Sequence, residues 1–240
     1  MNKSSNVNKM TYDHIKSIAF DADDTLWVNE TFFRDAEDQF CALLHEYISY
    51  EECQKRLFEM EMRNLPMYGY GIKPFTLSLI EAAIEITNNN VSIATITKII
   101  ELGKMMLGAP VQLLDGIEEV LSTLSRKRKL VVATKGDLLD QERKLEKSGL
   151  ARYFHHIEVM SDKQPKNYEK LVHHLDLEPQ EFLMVGNSLK SDIVPVLEIG
   201  GNAFHIPFHT TWLHEEVADK IEHVNFKELS KASELINILK

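Results

Sequence analysis

The chain has 240 residues, of which 44% are hydrophobic and 27% are charged, a composition that excludes wholesale disorder. Its formal net charge is -10, so we expect it to bind neither nucleic acid nor an anionic membrane surface, which both need clustered cations. No apolar stretch is long enough to span a membrane, and the polar start lacks a signal core. We therefore predict a cytoplasmic protein in which Cys41 and Cys53 are reduced, buried thiols.

The chain begins with a polar, aperiodic segment, residues 1–14, that predicts a frayed tail. Residues 15–20 are a short, mostly apolar run, and residues 21–25 bring acids and a hydroxyl immediately after it. A buried strand that stops at such residues is typical of a parallel sheet whose carboxyl edge carries the chemistry.

The next segment, residues 30–107, repeats its apolar side chains every three or four positions. This spacing predicts four amphipathic helices. Between the second and third helix, the prolines and glycines of residues 65–74 predict a loop that breaks the helical pattern. We interpret residues 28–111 as an inserted helical sub-domain.

From residue 112 onward, short apolar runs alternate with helical patterns of about ten residues. Strands are predicted at residues 130–134, 157–160, 182–185 and 203–206. Helices are predicted near residues 117–124, 138–148, 168–175 and 192–199, with Gly149 as the C-terminal cap of the second. The alternation predicts an α/β fold in which helices cover both faces of a parallel sheet.

The ends of four predicted strands carry acidic, basic, amide or hydroxyl side chains. They are Asp21 and Asp23, Thr134, Lys163, and Asn187 and Asp192. Because strand carboxyl ends in one parallel sheet lie along one edge, these side chains can converge although they are far apart in sequence. Together they are the components of phosphoryl transfer through an aspartyl nucleophile with a magnesium ion.

Four segments resemble the motifs of one family in their order along the chain. Residues 21–26, Asp-Ala-Asp-Asp-Thr-Leu, resemble the first motif, DxDxT, of the haloacid dehalogenase superfamily. Residues 131–134 resemble its second motif and residues 161–163 its third. Residues 185–192 resemble the fourth, usually GDxxxxD. The resemblance spans residues 16–206 and implies membership of a superfamily composed mostly of phosphatases.

The resemblance implies a domain organisation. Residues 1–27 and 112–240 would form a Rossmann-like catalytic core. Residues 28–111 would form a helical cap of the C1 type, because the insert falls between the first two motifs, where such caps lie. In this family the cap closes over the core and sets specificity.

The resemblance also implies roles for the side chains at the strand ends. Asp21 would be the nucleophile that forms an aspartyl-phosphate, and Asp23 would be the general acid and base. Thr134 would donate a hydrogen bond to the phosphoryl oxygens. Lys163 would supply them with a fixed positive charge. Lys166, three residues later, is the local alternative to Lys163.

Mg²⁺ is the cofactor that the resemblance implies. Its ligands would be Asp21, the backbone carbonyl of Asp23, and Asp192 or Asn187. Asn187 is a departure, because the family usually has aspartate at that position. An amide oxygen can coordinate a cation but carries no charge, so we expect Asp192 to matter more here than in relatives.

The segment from Tyr68 to Lys73 interrupts the helical block with two aromatic rings, two glycines and a cation. It predicts a substrate-facing loop in which Tyr68 contacts the substrate and Arg63 or Lys73 meets a second anionic group. A plain surface turn between two helices is the alternative. Lys135 is either a solvent-exposed residue or one that helps to draw in an anionic substrate.

The function predicted from these residues is a Mg²⁺-dependent phosphatase that acts on a small phosphorylated metabolite. A phosphosugar mutase is one alternative, since it retains both acids of the first motif. A 2-haloacid dehalogenase is another, but its chemistry needs neither a metal nor a leaving-group acid, so Asp23 argues against it. The last alternative is a catalytically silent relative that uses the fold for binding or regulation.

Overall fold

The structure of the chain, a computed structural model, describes residues 11–215 and 220–239. The frayed tail predicted for residues 1–14 therefore lies mostly outside the described residues. Within the described ranges, no helix combines the length and the apolar character that crossing a membrane requires.

A single sheet of parallel strands forms the centre of the fold. Its strands are β1 (Ser17–Phe20), β2 (Lys129–Lys135), β3 (His156–Met160), β4 (Phe182–Gly186), β5 (Asn202–His205) and β6 (Phe226–Glu228). They lie in the order β3-β2-β1-β4-β5-β6, and every neighbouring pair is parallel. This topology confirms the predicted α/β fold with a Rossmann-like sheet.

Helices fill the connections between the strands. Those between β1 and β2 are α1 (Glu30–Leu43), α2 (Tyr50–Tyr68), α3 (Ile72–Ile86), α4 (Ile93–Gly108) and α5 (Ile117–Leu124). Those after β2 are α6 (Leu138–Lys147), α7 (Pro165–His174), α8 (Val194–Glu198) and α9 (Glu234–Leu239). The four amphipathic helices predicted in the insert are α1 to α4. The short elements β6 and α9 were not predicted.

The sheet separates two apolar clusters, because successive residues of a strand face opposite sides. Ile18 and Phe20 belong to one cluster and Ala19 to the other. A third cluster lies within α1 to α4 and includes Phe40 and Leu79, both fully buried. The insert therefore has a core of its own. Both cysteines lie in this cluster as free, buried thiols, as predicted.

The predicted helix break at residues 65–74 is wrong in its extent. Helix α2 continues through Pro66 to Tyr68, and α3 begins at Ile72, so only residues 69–71 are non-helical. Pro66 lies in the last turn of α2, where it removes a single hydrogen bond. Pro74 lies in the first turn of α3, where an N–H group has no partner within the helix.

Two backbone segments connect the insert to the sheet, and they pair with each other. Trp27 forms an antiparallel bridge with Leu113, and the N–H of Val28 donates to the carbonyl of Gln112 at 2.9 Å. The chain therefore enters and leaves α1 to α4 through one paired linker close to the end of β1.

Candidate active site

The first acid, Asp21, follows β1 directly and is 7% exposed. Its backbone N–H donates to the carbonyl of Val185 at 2.9 Å, which extends the pairing between β1 and β4 by one residue. Its Oδ1 accepts a hydrogen bond from Lys163 Nζ at 2.5 Å. Burial raises the pKa of Asp21 to about 7, although the nearby Lys163 ammonium acts in the opposite direction.

Lys163 connects Asp21 to the fourth motif. Its buried ammonium also donates to Asp192 Oδ1 at 2.6 Å. Burial alone would lower the pKa of Lys163, but the carboxylates of Asp192 and Asp21 outweigh it and hold the pKa well above its ordinary value. Lys166 is exposed on the first turn of α7, so of the two lysines the structure brings Lys163 into the site.

Asp192 is fully buried, and protein donors already contact both of its oxygens. Oδ1 accepts from Lys163, and Oδ2 accepts from the backbone N–H of Ser188 at 3.0 Å. The geometry therefore makes Asp192 a partner of the lysine. Its role as a metal ligand stays a prediction.

The amide of Asn187 lies among three oxygens at the edge of the sheet. In one orientation its Oδ1 accepts from Thr25 Oγ1 at 3.2 Å. In the other, its nitrogen would donate to Asp21 Oδ2, the carbonyl oxygen of Asp23 and Thr25 Oγ1, each at 3.2 Å. The two orientations differ in which amide atom faces these oxygens, so the partners of the amide decide between them.

The chemistry of this cluster fits Mg²⁺. Asp21 Oδ2, the Asp23 carbonyl and the Asn187 amide oxygen are the oxygen ligands that magnesium prefers, and ligands of an octahedral ion lie roughly 3 Å apart. Among the described residues, no group of three or more His, Cys, Asp or Glu side chains is placed to hold a metal. An ion here would therefore need the amide and the backbone oxygen as well as Asp21.

Asp23 is held by three donors from two parts of the chain. The indole N–H of Trp27 donates to Oδ1 at 2.8 Å, and Gln141 Nε2 donates to Oδ2 at 2.8 Å. Lys144 Nζ donates to Oδ1 at 3.0 Å and to Asn29 Oδ1 at 2.8 Å. The sequence did not predict these partners, although Gln141 and Lys144 are three residues apart on α6 and therefore share a face.

Capping residues define where helix α6 begins and ends. Asp137 accepts the N–H of Asp140 at 3.1 Å as the N-cap, and Gly149 beyond the helix has a φ of +71°. A left-handed glycine at this position ends helices, as predicted.

The second-motif residues lie at the end of β2. Thr134 is 1% exposed and lines the cavity. The ammonium of Lys135 donates to Ser191 Oγ at 2.9 Å and to Glu215 at 2.5 Å, and it lies 4.1 Å from the centre of the Tyr70 ring. Lys135 is therefore fully engaged by protein groups.

Glu215 is a site residue that the sequence did not reveal. Burial alone would raise its pKa, but Lys135 and the hydroxyls of Ser188 and Ser191 lower the pKa to about 2. It follows β5 by ten residues and stands in no recognisable pattern, so no signal in the sequence could have indicated it.

A cavity of about 190 Å³ lies between this edge of the sheet and helices α1 to α3. Ten Asp or Glu residues and three lysines line it. Each of these lysines already contacts a carboxylate: Lys135 that of Glu215, Lys144 that of Asp23, and Lys163 that of Asp21. The cavity is therefore acidic, and a phosphate dianion entering it needs a further positive charge.

The predicted substrate loop is divided between the cavity and the rim. Tyr68 lines the cavity, but its hydroxyl donates to Glu81 at 2.6 Å. Lys73 is half-exposed and donates to Asp137 at 2.8 Å, so the structure places it in a contact between α3 and the turn before α6. Arg63 pairs with Glu85 on the surface. Neither Lys73 nor Arg63 is among the described residues that line the cavity, so their contact with a second anionic group stays a prediction.

Comparison with known proteins places this arrangement in a family. The model of the haloacid dehalogenase-like hydrolase family matches residues 15–198. A solved structure of a haloacid dehalogenase-like family hydrolase from Xanthomonas campestris is 38% identical in sequence, and the match covers 93% of this chain and 90% of that one with a TM-score of 0.84. No curated protein matches the chain.

Two more distant structures share the fold. A HAD-hydrolase, YfnB, from Bacillus subtilis bound to magnesium is 19% identical over 94% of this chain and 98% of that one, with a TM-score of 0.60. A 2-haloacid dehalogenase from Pseudomonas syringae pv. Tomato DC3000 is 20% identical over 93% of this chain and 97% of that one, with a TM-score of 0.62. At these identities the likeness shows the fold alone.

Proposed function

Because the chain belongs to the haloacid dehalogenase-like hydrolases, we propose that it is a Mg²⁺-dependent phosphatase that hydrolyses a small phosphorylated metabolite through an aspartyl-phosphate. The observation that carries this proposal is the convergence of Asp21 Oδ2, the Asp23 carbonyl and the Asn187 amide. An acidic cavity with no unpaired lysine in its described lining supports it, because phosphate can enter only with a cation. The cytoplasmic location stays a prediction.

In the first half of the reaction, a carboxylate oxygen of Asp21 attacks phosphorus. The bond from that oxygen to phosphorus forms while the bond from phosphorus to the alcohol oxygen breaks. Asp23, in its protonated form, gives its proton to the leaving oxygen. Lys163, held between Asp21 and Asp192, fixes the orientation of the nucleophile and offers positive charge to the phosphoryl oxygens.

In the second half, water replaces the enzyme oxygen on phosphorus. Asp23, now ionised, accepts a proton from that water, whose oxygen attacks the phosphorus of the aspartyl-phosphate. The bond to Asp21 breaks, which regenerates the carboxylate and releases inorganic phosphate. Gln141 and Lys144 hold the carboxylate of Asp23 while it changes between acid and base.

Mg²⁺ would be held by Asp21, the carbonyl of Asp23 and the amide oxygen of Asn187. When bound, the ion supplies positive charge that offsets the repulsion between the carboxylate and the phosphate dianion. Positive charge beside Asp21 also favours its ionised form, which the attack requires and which burial opposes.

One observation favours a second candidate, hydrolysis of a 2-haloacid. If the Asn187 nitrogen faces Asp21 and the Asp23 carbonyl, it donates hydrogen bonds where the cation would lie. The site would then hold no metal. Displacement of a halide by Asp21, which forms an aspartyl ester, does not need one. The acidic cavity weighs against this candidate, because the carboxylate of a haloacid finds no unpaired cation in the described lining.

A substrate panel distinguishes the two candidates. Phosphate monoesters and 2-haloacids are incubated with the protein in Mg²⁺ and again in a chelator, and inorganic phosphate and halide are measured. We expect phosphate release that chelation abolishes. Halide release that persists in the chelator would establish the second candidate instead. Recovery of a phosphorylated isomer without free phosphate would indicate a mutase.

Replacement of the nucleophile tests the mechanism. We expect Asp21→Asn to lower kcat by about 10³-fold or more, because the amide cannot form the aspartyl-phosphate. Its unfolding transition should stay cooperative, which shows that the fold is intact. Turnover by Asp21→Asn at the wild-type rate would exclude Asp21 as the nucleophile.

A further inference from the structure

The part of the cavity lining that the insert contributes differs in charge from the part that the core contributes. We call it the cap wall. Its acidic members are Glu30, Glu37 and Glu61, and its aromatic members are Phe33, Tyr68, Tyr70 and Phe75. In the described lining, the lysines all come from the core, and the insert contributes no Lys, Arg or His to the lining. The cap wall is therefore acidic and aromatic.

One carboxyl oxygen of Glu30 in the cap wall is buried and accepts no hydrogen bond from the residues that the structure describes. The residue is 9% exposed, and its Oε1 is buried without a hydrogen-bond partner in the described structure. Arg34 Nε lies 3.3 Å from that oxygen but does not satisfy hydrogen-bond geometry. A buried carboxylate oxygen without a donor is unfavourable, so a ligand that supplies a donor to it gains binding free energy.

The carboxyl groups of the cap wall outnumber the cation that contacts them. Arg34 is the cation that contacts Glu30 and Glu37, at 3.3 and 3.0 Å. Glu61 adds a third carboxylate on α2, beside the indole of Trp212. Burial raises the pKa of Glu30 and of Glu61 to about 8, so both carboxyl groups stay protonated near neutral pH, and a cation that enters the wall favours their ionised form.

Aromatic rings complete the surface around these carboxylates. Phe33 and Phe75 meet edge to face with their centres 5.0 Å apart, and Tyr70 and Trp212 meet in the same way at 6.3 Å. All four rings line the cavity. Aromatic faces combined with carboxylates attract an ammonium group by electrostatics and by cation–π contact.

We propose that the cap wall binds the ammonium group of the substrate's alcohol portion, so that the substrate is the phosphate monoester of an amino alcohol. The inference rests on the proposed function, because it places the phosphate at Asp21. A second anionic group in the substrate would find no cation among the insert residues of the described lining and would oppose the ionisation of Glu30, Glu37 and Glu61. A neutral polyol supplies hydrogen-bond donors but leaves the charge of the wall uncompensated.

Three phosphate esters of similar length test the proposal with Mg²⁺ present: 2-aminoethyl phosphate, propyl phosphate and carboxymethyl phosphate. We expect kcat/KM for the amino ester to exceed that for the propyl ester by about tenfold or more, with the carboxymethyl ester the poorest. Glycerol phosphate is the polyol comparison. Equal values for the amino and propyl esters, or a preference for the carboxymethyl ester or glycerol phosphate, would overturn the proposal.

Variants locate the effect in the cap wall. Glu30→Gln and Glu61→Gln each remove one carboxyl group that can ionise beside a bound ammonium, while keeping the side-chain shape. We expect each to lower the ratio of kcat/KM between the amino and propyl esters at least threefold. Glu59→Gln makes the same change on the exposed side of α2 and should keep the ratio. If both cap-wall variants keep the wild-type ratio of kcat/KM between the amino and propyl esters, the cap wall does not bind the ammonium group.

Affinity measurements test this inference independently of the proposed function. Calorimetry on Asp21→Asn protein measures the affinity for the amino and propyl esters without turnover. Tighter binding of the amino ester that Glu61→Gln removes supports the cap-wall inference even if the panel of esters shows no hydrolysis. Equal affinity for the two esters overturns the inference even if the protein is an active phosphatase.

Discussion

Gly186, at the end of β4, makes the close approach on which the buried ion pair depends. A Cβ at this position would lie 2.2 Å from Asp192 Oδ2 and 2.4 Å from its Cγ, so any side chain displaces that carboxylate. Displacement would break the buried contact between Asp192 and Lys163 and leave Lys163 with Asp21 as its carboxylate partner.

We therefore expect Gly186→Ala to lower kcat/KM by about 10²-fold and to destabilise the fold by about 3 kcal/mol, because breaking a buried ion pair costs about that much. Urea unfolding and steady-state kinetics measure the two effects. Gly108→Ala, at the end of α4 with open space around the added carbon, is the matched control. Wild-type activity in Gly186→Ala would show that Asp192 tolerates displacement.

Sequence could predict only some of the residues at this site. The structure brings together Asp21, Lys163 and Asp192, because parallel strands end at a common edge. Glu215 lies on a loop whose path depends on tertiary packing. Glu61 offered one signal, since it stands next to Met60 on the buried stripe of α2, where a charged residue is unusual.

At the scale of elements, α6 determines how Asp23 is held. We expect Lys144→Met to lower kcat roughly tenfold with little change in KM, because the ammonium of Lys144 is held by Asp23 and Asn29 and would act by orienting the proposed acid. Lys144→Arg should restore part of the loss, which a purely structural role would not produce. Lys147→Met is the control, because Lys147 is exposed and lies on the next turn of α6. A change in KM alone would contradict a positioning role.

The elements themselves were largely predictable, and the exceptions have local causes. Apolar periodicity marks α1 to α4 because each helix buries one face in the insert core. The predicted helix break begins too early, because a proline in the last turn of a helix removes only one backbone hydrogen bond and α2 continues past Pro66. A π-helical turn at Leu189–Ile193 places the Asp192 side chain and has no sequence signature of its own.

At the scale of the whole molecule, buried acids make stability depend on pH. The pKa of Glu30 and Glu61 is raised from 4.5 to about 8, so the folded chain retains protons that the unfolded chain has released between these values. Their contribution to stability is complete below pH 4.5 and is lost as the pH rises through 8. Glu215, lowered to about 2, contributes stability above pH 4.5 that is lost as the pH falls toward 2.

We therefore expect the melting temperature, measured in a chelator, to fall by about 3 °C or more between pH 5.5 and pH 8.5, given about 2–4 °C per kcal/mol in a chain of this size. Circular dichroism at a series of pH values measures it. The double variant Glu30→Gln, Glu61→Gln should flatten the dependence. A melting temperature that rises over this range would show that other groups dominate.

The paired linker between sheet and insert has a mechanical consequence. Trp27 bridges to Leu113 in that linker, and its indole also donates to Asp23. A rotation of the insert about this linker would therefore displace the indole that donates to Asp23. We expect any such rotation to change the position of the Asp23 carboxylate together with the width of the cavity.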